Sequence, residues 1–154
     1  MENVIKFCKY DENYLEKSWE SLNNPIIKNL TNTPDFSKED QQIWYNLLKN
    51  KKDYFIKGIS FNGIPVGVMG LKNITDTQAE YWGYIGEISF WGKGIGNEMM
   101  SFAINKAKDL NLKKIYLTVL KDNTRAIGLY EKFKFKTKEN KDEKLVYMEL
   151  NIEE

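Results

Sequence analysis

Trp91-Gly92-Lys93-Gly94-Ile95-Gly96 sets glycine at three alternate positions, directly after a strand-like run and directly before a helix-like one. Glycine at that density lets a backbone turn aim several amides at one point. The positive end of the following helix adds to them, so the loop suits a phosphate group. The neighbours exclude two standard nucleotide loops. A Walker loop needs Ser or Thr after Lys93, where Gly94 stands, and a dinucleotide GxGxxG needs glycine where Asn97 or Met99 stands. A tight strand-to-helix connection without a ligand is the alternative reading of the same residues.

Outward from the loop the chain alternates between periods of two and of 3.6. Upstream, Gln78 to Glu87 reads as a strand interrupted by Gly83 and Gly86, which predicts a bulge or a close backbone approach. Before it, Tyr54–Phe61 and Pro65–Leu71 read as strands joined by Asn62-Gly63, a pair that tolerates the positive φ of a two-residue hairpin turn. Downstream, Ile95 to Leu110 is helical, with Met100, Ala103, Ile104 and Ala107 on one face. A strand follows at Ile115–Leu120, then a helix capped by Asp122 or Asn123 and running through Phe133, then two strands at Phe135 and at Leu145–Leu150. Toward the N-terminus, Val4–Lys9 reads as a strand and Glu12–Leu22 as a helix built on Leu15 and Trp19. Asn23–Phe36 reads as a loop, since Asn-Asn-Pro and Thr-Pro-Asp are breakers. Ser37 and Asp40 form a capping box for a helix that carries Ile43, Trp44, Leu47 and Leu48. The whole is a mixed α/β chain, expected as one domain over 1–154.

Composition narrows the chemistry. Of 154 residues 42% are apolar and 29% charged, ordinary for a globular domain. The 23 basic and 22 acidic residues leave a net charge of +1, so nucleic acid is not an expected partner. There is no histidine and one cysteine, Cys8, which removes every His-based triad, every His-ligated metal site and any intrachain disulfide. No metal is expected; catalysis must rest on carboxylates, Tyr, Lys, Ser/Thr or backbone amides. No run approaches the ~20 apolar residues of a membrane span, and the N-terminal residues lack an apolar core like that of a signal peptide. The expectation is a cytoplasmic protein without a membrane partner.

A second stretch, Asn123-Thr-Arg-Ala-Ile-Gly-Leu-Tyr130-Glu-Lys-Phe-Lys-Phe135, reads by itself as a capped helix with Ile127 and Tyr130 turned inward. Taken with the glycine loop, and with the strand order around both, it resembles the GNAT superfamily of acetyl-CoA-dependent N-acyltransferases. Positions 91 to 96 look like that family's [Gln/Arg]-x-x-Gly-x-[Gly/Ala] signature, with Trp91 in place of Gln or Arg; Lys134 stands where glycine usually precedes the Phe. Residues ~54 to 135 carry the likeness best, and element order extends it to both ends.

The resemblance implies a mostly antiparallel sheet with a splayed central strand pair, flanked by helices. It implies acetyl-CoA as co-substrate. The pantetheine arm would lie in the splay near Gly86, Glu87 and Ile88 and bond Asn123, with the pyrophosphate on the amides of Gly92, Lys93, Gly94, Ile95, Gly96 and Asn97. Arg125, the only arginine, either reaches the phosphates or faces solvent. Tyr130 matches the family's acid position beside the thioester sulfur. Glu80, eleven residues before Trp91, matches the strand glutamate used as base in some members, and burial beside Trp82 and Tyr84 would suit it to accept a proton near neutral pH. Glu87 and a water chain are the competing bases; Thr118, where some relatives carry Glu, cannot serve. The segment from Ala79 to Gly96 is similar to two branches, one acting on nucleotide-linked amino sugars and one on ribosomal-protein N-termini. The Glu-to-loop spacing favours the sugar, hence a primary amine of a small molecule as acceptor. A non-catalytic acyl-CoA-binding module is the reading from another class. A homodimer is compatible with the sequence.

Overall fold

The computed structural model describes residues 3–138 and 142–152; residues 1–2, 139–141 and 153–154 of the expected 1–154 domain lie outside the described residues. The chain opens with β1 (Ile5–Cys8) and α1 (Glu12–Asn23), whose first turn is closed by the Asp11 carboxylate accepting from the Tyr14 amide. Next come α2 (Pro25–Leu30) and α3 (Lys38–Leu48). The Ser37/Asp40 capping box is present with both of its reciprocal bonds. β2 (Phe55–Phe61) and β3 (Ile64–Lys72) form the expected hairpin, with Asn62 at φ 50° and Gly63 at φ 84°. β4 (Gln78–Ile85) leads through a 3-10 turn at Ile88–Phe90 into α4 (Ile95–Asp109). β5 (Lys114–Leu120), α5 (Thr124–Lys132), β6 (Lys136–Lys138) and β7 (Leu145–Asn151) complete the fold.

The described strands form one sheet in the order β1-β2-β3-β4-β5-β7-β6. Every neighbouring pair is antiparallel except β4 and β5, which run parallel. That pair holds for only Gln78↔Lys114, Ala79↔Ile115 and Glu80↔Tyr116, and then the strands part. Beyond Glu80 the inner edge of β4 has no strand partner. Gly86 N–H bonds Val66 O at 2.7 Å, so by antiparallel alternation the N–H groups of Gly83 and Ile85 point away from β3 and into the split.

The two faces are covered differently. α4 lies on one, and its buried Met99, Met100, Ala103 and Ala107 meet Ala79, Tyr81, Ile115 and Leu117. The alanines let the helix axis approach the sheet closely. Phe102 of α4 stacks between Phe7 and Phe55 at 4.0 and 6.1 Å. On the other face Tyr10, Tyr14 and Leu15 pack with Val68, Trp44, Trp82 and Tyr84.

One expectation is corrected and two are sharpened. Asn23–Phe36 is not loop throughout, because Asn24 accepts from the amides of Ile26 and Ile27 and Pro25 takes the first helical position. The Asn-Pro pair that stops α1 therefore starts α2. Of the bulge or close approach expected at Gly83 and Gly86, the structure has the close approach and no bulge in the β3–β4 register. The register slips instead between Ile59 and Ser60, and the two glycines admit neighbours: a Cβ at 83 would lie 2.8 Å from the Met99 methyl, and one at 86 would lie 2.3 Å from Ser21 Oγ. On α3 the apolar stripe is only half used, since Trp44 and Leu48 pack inward while Ile43 and Leu47 are 60% and 53% exposed. The cap of α5 is Asn123, whose side chain accepts from Ala126 N–H at 3.3 Å. Lys134 holds φ 77°, so the turn adopts the left-handed form usual for glycine although a lysine occupies it.

Candidate active site

The glycine loop folds as its composition dictates. Gly92 and Gly94 sit at φ 79° and 82°, and Gly94 is the N-cap of α4 with no side chain closing the first turn. The amides of the first helical residues have no intrahelical acceptor by construction. A Cβ on Gly92 or Gly94 would meet nothing within 4 Å, so the outer surface of the loop is open. Trp91 ties the loop to β4 by donating its indole N–H to Ile85 O at 3.1 Å, and the Arg125 guanidinium lies 4.9 Å from its ring centre. Arg125 is exposed, and from there it both covers the Trp91 ring and borders the cavity beside the loop.

Two cavities flank the split. One, of about 330 Å³, lies between the loop, the end of β4 and α5. Gly92, Gly94, Ile95, Gly96, Asn97, Asn123 and Tyr130, all candidates from the sequence, line it. The other, about 680 Å³, is walled by the rings of Tyr10, Trp44, Tyr54, Trp82 and Tyr84, with Glu80 and Thr118 on the β4–β5 side. Thr31, Tyr81, Gly83, Tyr84, Asn123 and Tyr130 belong to both, so the cavities meet there.

Not every candidate comes together. Lys93 is exposed and lines neither cavity. Gly86, Glu87 and Ile88 also lie outside both: the Gly86 amide is spent on Val66, Glu87 is ion-paired with Lys17, and Ile88 begins the 3-10 turn. The bare backbone falls earlier, at Gly83 and Ile85. Glu80 lines the larger cavity with its side chain 19% exposed, and it is not alone among aromatic rings. Lys72 Nζ stands 3.7 Å from one carboxylate oxygen and Asn73 Nδ2 donates to the other at 3.3 Å. Tyr130 is packed edge to face on Tyr81, 6.1 Å between ring centres, and on Phe135 at 5.8 Å. Burial pushes its hydroxyl up to about 12, so it remains a protonated donor at any physiological pH.

The sequence reading missed Tyr81, Lys72, Asn73 and the wall that α2 contributes through Ile27, Leu30 and Thr31. Asn24-Pro25 was the available signal for α2; Tyr81 carried none. Among the described residues no group of His, Cys, Asp or Glu could hold a metal ion, and no helix is long and apolar enough to cross a membrane.

The sequence profile of the acetyltransferase (GNAT) family matches residues 16–135. An uncharacterized protein of Methanocaldococcus jannaschii is 30% identical over 116 residues, 74% of this chain and 24% of that protein, so the chain spans about a quarter of that curated relative's length. Among solved structures, the spermidine N-acetyltransferase of Vibrio cholerae in complex with CoA and spermine superposes with a TM-score of 0.85 at 21% identity, covering 97% of this chain and 95% of that one. The Campylobacter jejuni N-acetyltransferase PseH in complex with acetyl coenzyme A gives 0.73 at 18% identity, covering 96% and 99%. At such identities the superpositions are statements about fold. The profile match takes in well over half of the 154 residues, and on that ground the chain belongs to the acetyltransferase (GNAT) family.

Proposed function

We propose that residues 1–154 form one acetyl-CoA-dependent N-acetyltransferase domain that acetylates a primary amine of a small molecule, with a nucleotide-linked amino sugar as the acceptor. The observation that carries the reading is the meeting of the two cavities at Tyr130, one bounded by open loop amides and the other by Glu80. In this reading the amides from Gly92 to Asn97 bind the cofactor's diphosphate, helped by the dipole of α4. The bare N–H groups of Gly83 and Ile85, and the Asn123 amide, hold its pantetheine arm. The acceptor amine enters from the larger cavity and attacks the thioester carbonyl. Glu80 takes the amine proton, directly or through water, and Tyr130 gives one to the departing sulfur. The likeness to PseH, seen with acetyl coenzyme A, supports the cofactor.

The walls support the acceptor class. Trp44, Tyr54, Trp82 and Tyr84 make the lining rich in aromatic side chains, a composition suited to the C–H surfaces of a sugar ring and to a base. A polyamine would need carboxylates without a cationic or amide partner, but Glu80 is met by Lys72 and the Asp40 carboxylate accepts from the Ser37 amide. The test is thiol release from acetyl-CoA across nucleotide-linked amino sugars, the corresponding free amino sugars, polyamines and peptides with ribosomal-protein N-termini. The nucleotide-linked sugar should exceed every other class at least tenfold in kcat/KM. A peptide in first place would transfer the assignment to N-terminal acetylation. Tight CoA binding with no turnover would make the domain a binding module.

A further inference from the structure

We propose that Tyr81 is a second hydroxyl donor at the reacting thioester, acting with Tyr130 on the sulfur as it leaves. The proposal rests on the acetyl-transfer reading and adds to it a residue that lies on β4 rather than α5. Three observations carry it. First, both phenols stand where the two cavities meet, which is where a thioester reached from one side by the cofactor arm and from the other by the amine must lie. Second, neither phenol hydroxyl has a hydrogen-bond partner among the described residues, whereas other polar groups at the junction are committed. Thr31 Oγ1 bonds Ile27 O at 2.8 Å and Thr33 Oγ1 at 2.6 Å, Asn123 Oδ1 caps α5, and Tyr84 has Ser18 beside it. Third, the fold makes room for the Tyr81 hydroxyl. It reaches along β4 to the space above Gly83, where a Cβ would come within 2.9 Å of it.

The chemistry needs such a donor. When the N–C bond forms and the C–S bond breaks, the amine proton goes to Glu80 and the electron pair of the broken bond goes to sulfur. Preorganised donors aimed at the atom that gains charge are worth most in a site shielded from water. Tyr130 supplies the proton, and Tyr81 keeps its own while hydrogen-bonding the same sulfur. The rings pack edge to face, 6.1 Å between centres at 76°, and both residues line both cavities. Burial, and then the neighbouring Tyr130, hold Tyr81 protonated well beyond the ordinary tyrosine range, so it can only donate. Tyr130, held near 12, is a weak acid against a thiolate, so sharing the charge between two donors eases the step.

The experiment compares Tyr81→Phe, Tyr130→Phe and the double variant. Thiol release from acetyl-CoA is followed with a nucleotide-linked amino sugar as acceptor, or with water where no amine turns over. CoA affinity is taken from calorimetry and folding from Tm. Tyr81→Phe should lower kcat at least tenfold with CoA Kd within twofold, and the double variant should lose less than the product of the single losses, as groups acting as a unit do. A kcat within twofold of the parent, a loss confined to CoA affinity, or strictly multiplicative losses would each overturn the proposal. If Tyr81→Phe does not fold, Gly83→Ala, whose Cβ would meet the Met99 methyl at 2.8 Å and the Tyr81 hydroxyl at 2.9 Å, should reproduce the kcat loss with CoA Kd within twofold; unchanged kcat there would overturn it equally. A parent protein that binds CoA yet releases no thiol to any acceptor or to water refutes the acetyl-transfer reading instead.

Discussion

Replacing Gly94 by alanine separates the two demands placed on that residue. Its φ of 82° lies in the left-handed region, where an L-residue costs about 1–2 kcal/mol, and a Cβ there touches nothing within 4 Å. The folded chain should therefore lose only that backbone term, a Tm fall of about 2–8 °C for a domain of this size. Gly63, in the Asn62-Gly63 turn, has φ 84° and the same open surroundings but lines neither cavity. Gly63→Ala is thus a matched control with an equal backbone cost. If the loop amides hold the cofactor's diphosphate, the new methyl at 94 stands where the phosphates must approach. Acetyl-CoA should then bind at least tenfold more weakly, about 1.4 kcal/mol, to Gly94→Ala and with parental affinity to Gly63→Ala. Calorimetry and thermal melts on the three proteins measure both quantities. Equal affinities in all three, with Gly94→Ala folded, would refute the placement of the cofactor on this loop.

Glu80→Gln keeps the shape and the Asn73 contact region but removes the proton acceptor, and kcat should fall ~10²-fold; a near-parental pH–rate profile would pass the role to Glu87 or water. Lys134→Gly relieves a left-handed lysine at φ 77° and should raise Tm by a few degrees, roughly 1 kcal/mol offset in part by the greater freedom of glycine in the unfolded chain; a lower Tm would contradict the strain argument. Burial holds Tyr10 and Tyr130 up to about 12, while the unfolded chain titrates near 10. The stability they contribute is therefore complete below about pH 10 and is lost as the pH rises from there toward about 12. Melting temperatures taken across that range should decline together with the appearance of tyrosinate absorbance; ionisation of all the tyrosines in a still-folded chain would be inconsistent with this.

The local signals that survived folding are those whose cause is local. Asn62-Gly63 turns because both residues accept positive φ, and the Ser37/Asp40 box closes because its bonds span three residues. The same locality misled at Asn24-Pro25, where a stop and a start coincide and only the packing of Ile27, 2% exposed, makes the second helix worthwhile. The exposure of Ile43 and Leu47 was not legible, since a periodic stripe says which side is apolar and not how much of it the sheet can reach. At the site, the loop and Tyr130 were readable as motifs. The surroundings of Glu80 were not, because Lys72 arrives by the β3–β4 register, Lys72↔Glu80. Tyr81 was hidden for a similar reason: its setting depends on an absent side chain at Gly83 and on a ring brought in by α5.

The three-pair seam between β4 and β5 has a further consequence, for solubility. Unpaired strand edges ordinarily recruit strands from other chains and lead to aggregation. Here the unpaired length of β4 is internal, with β5, β7 and β6 continuing the sheet beyond it and α4 lying across one face. A foreign strand would have to thread between two strands already tied together at Gln78–Glu80 and Lys114–Tyr116. A slender linear molecule meets no such obstacle. The fold therefore keeps a stretch of hungry backbone permanently available while shielding it from the partners most prone to misuse it.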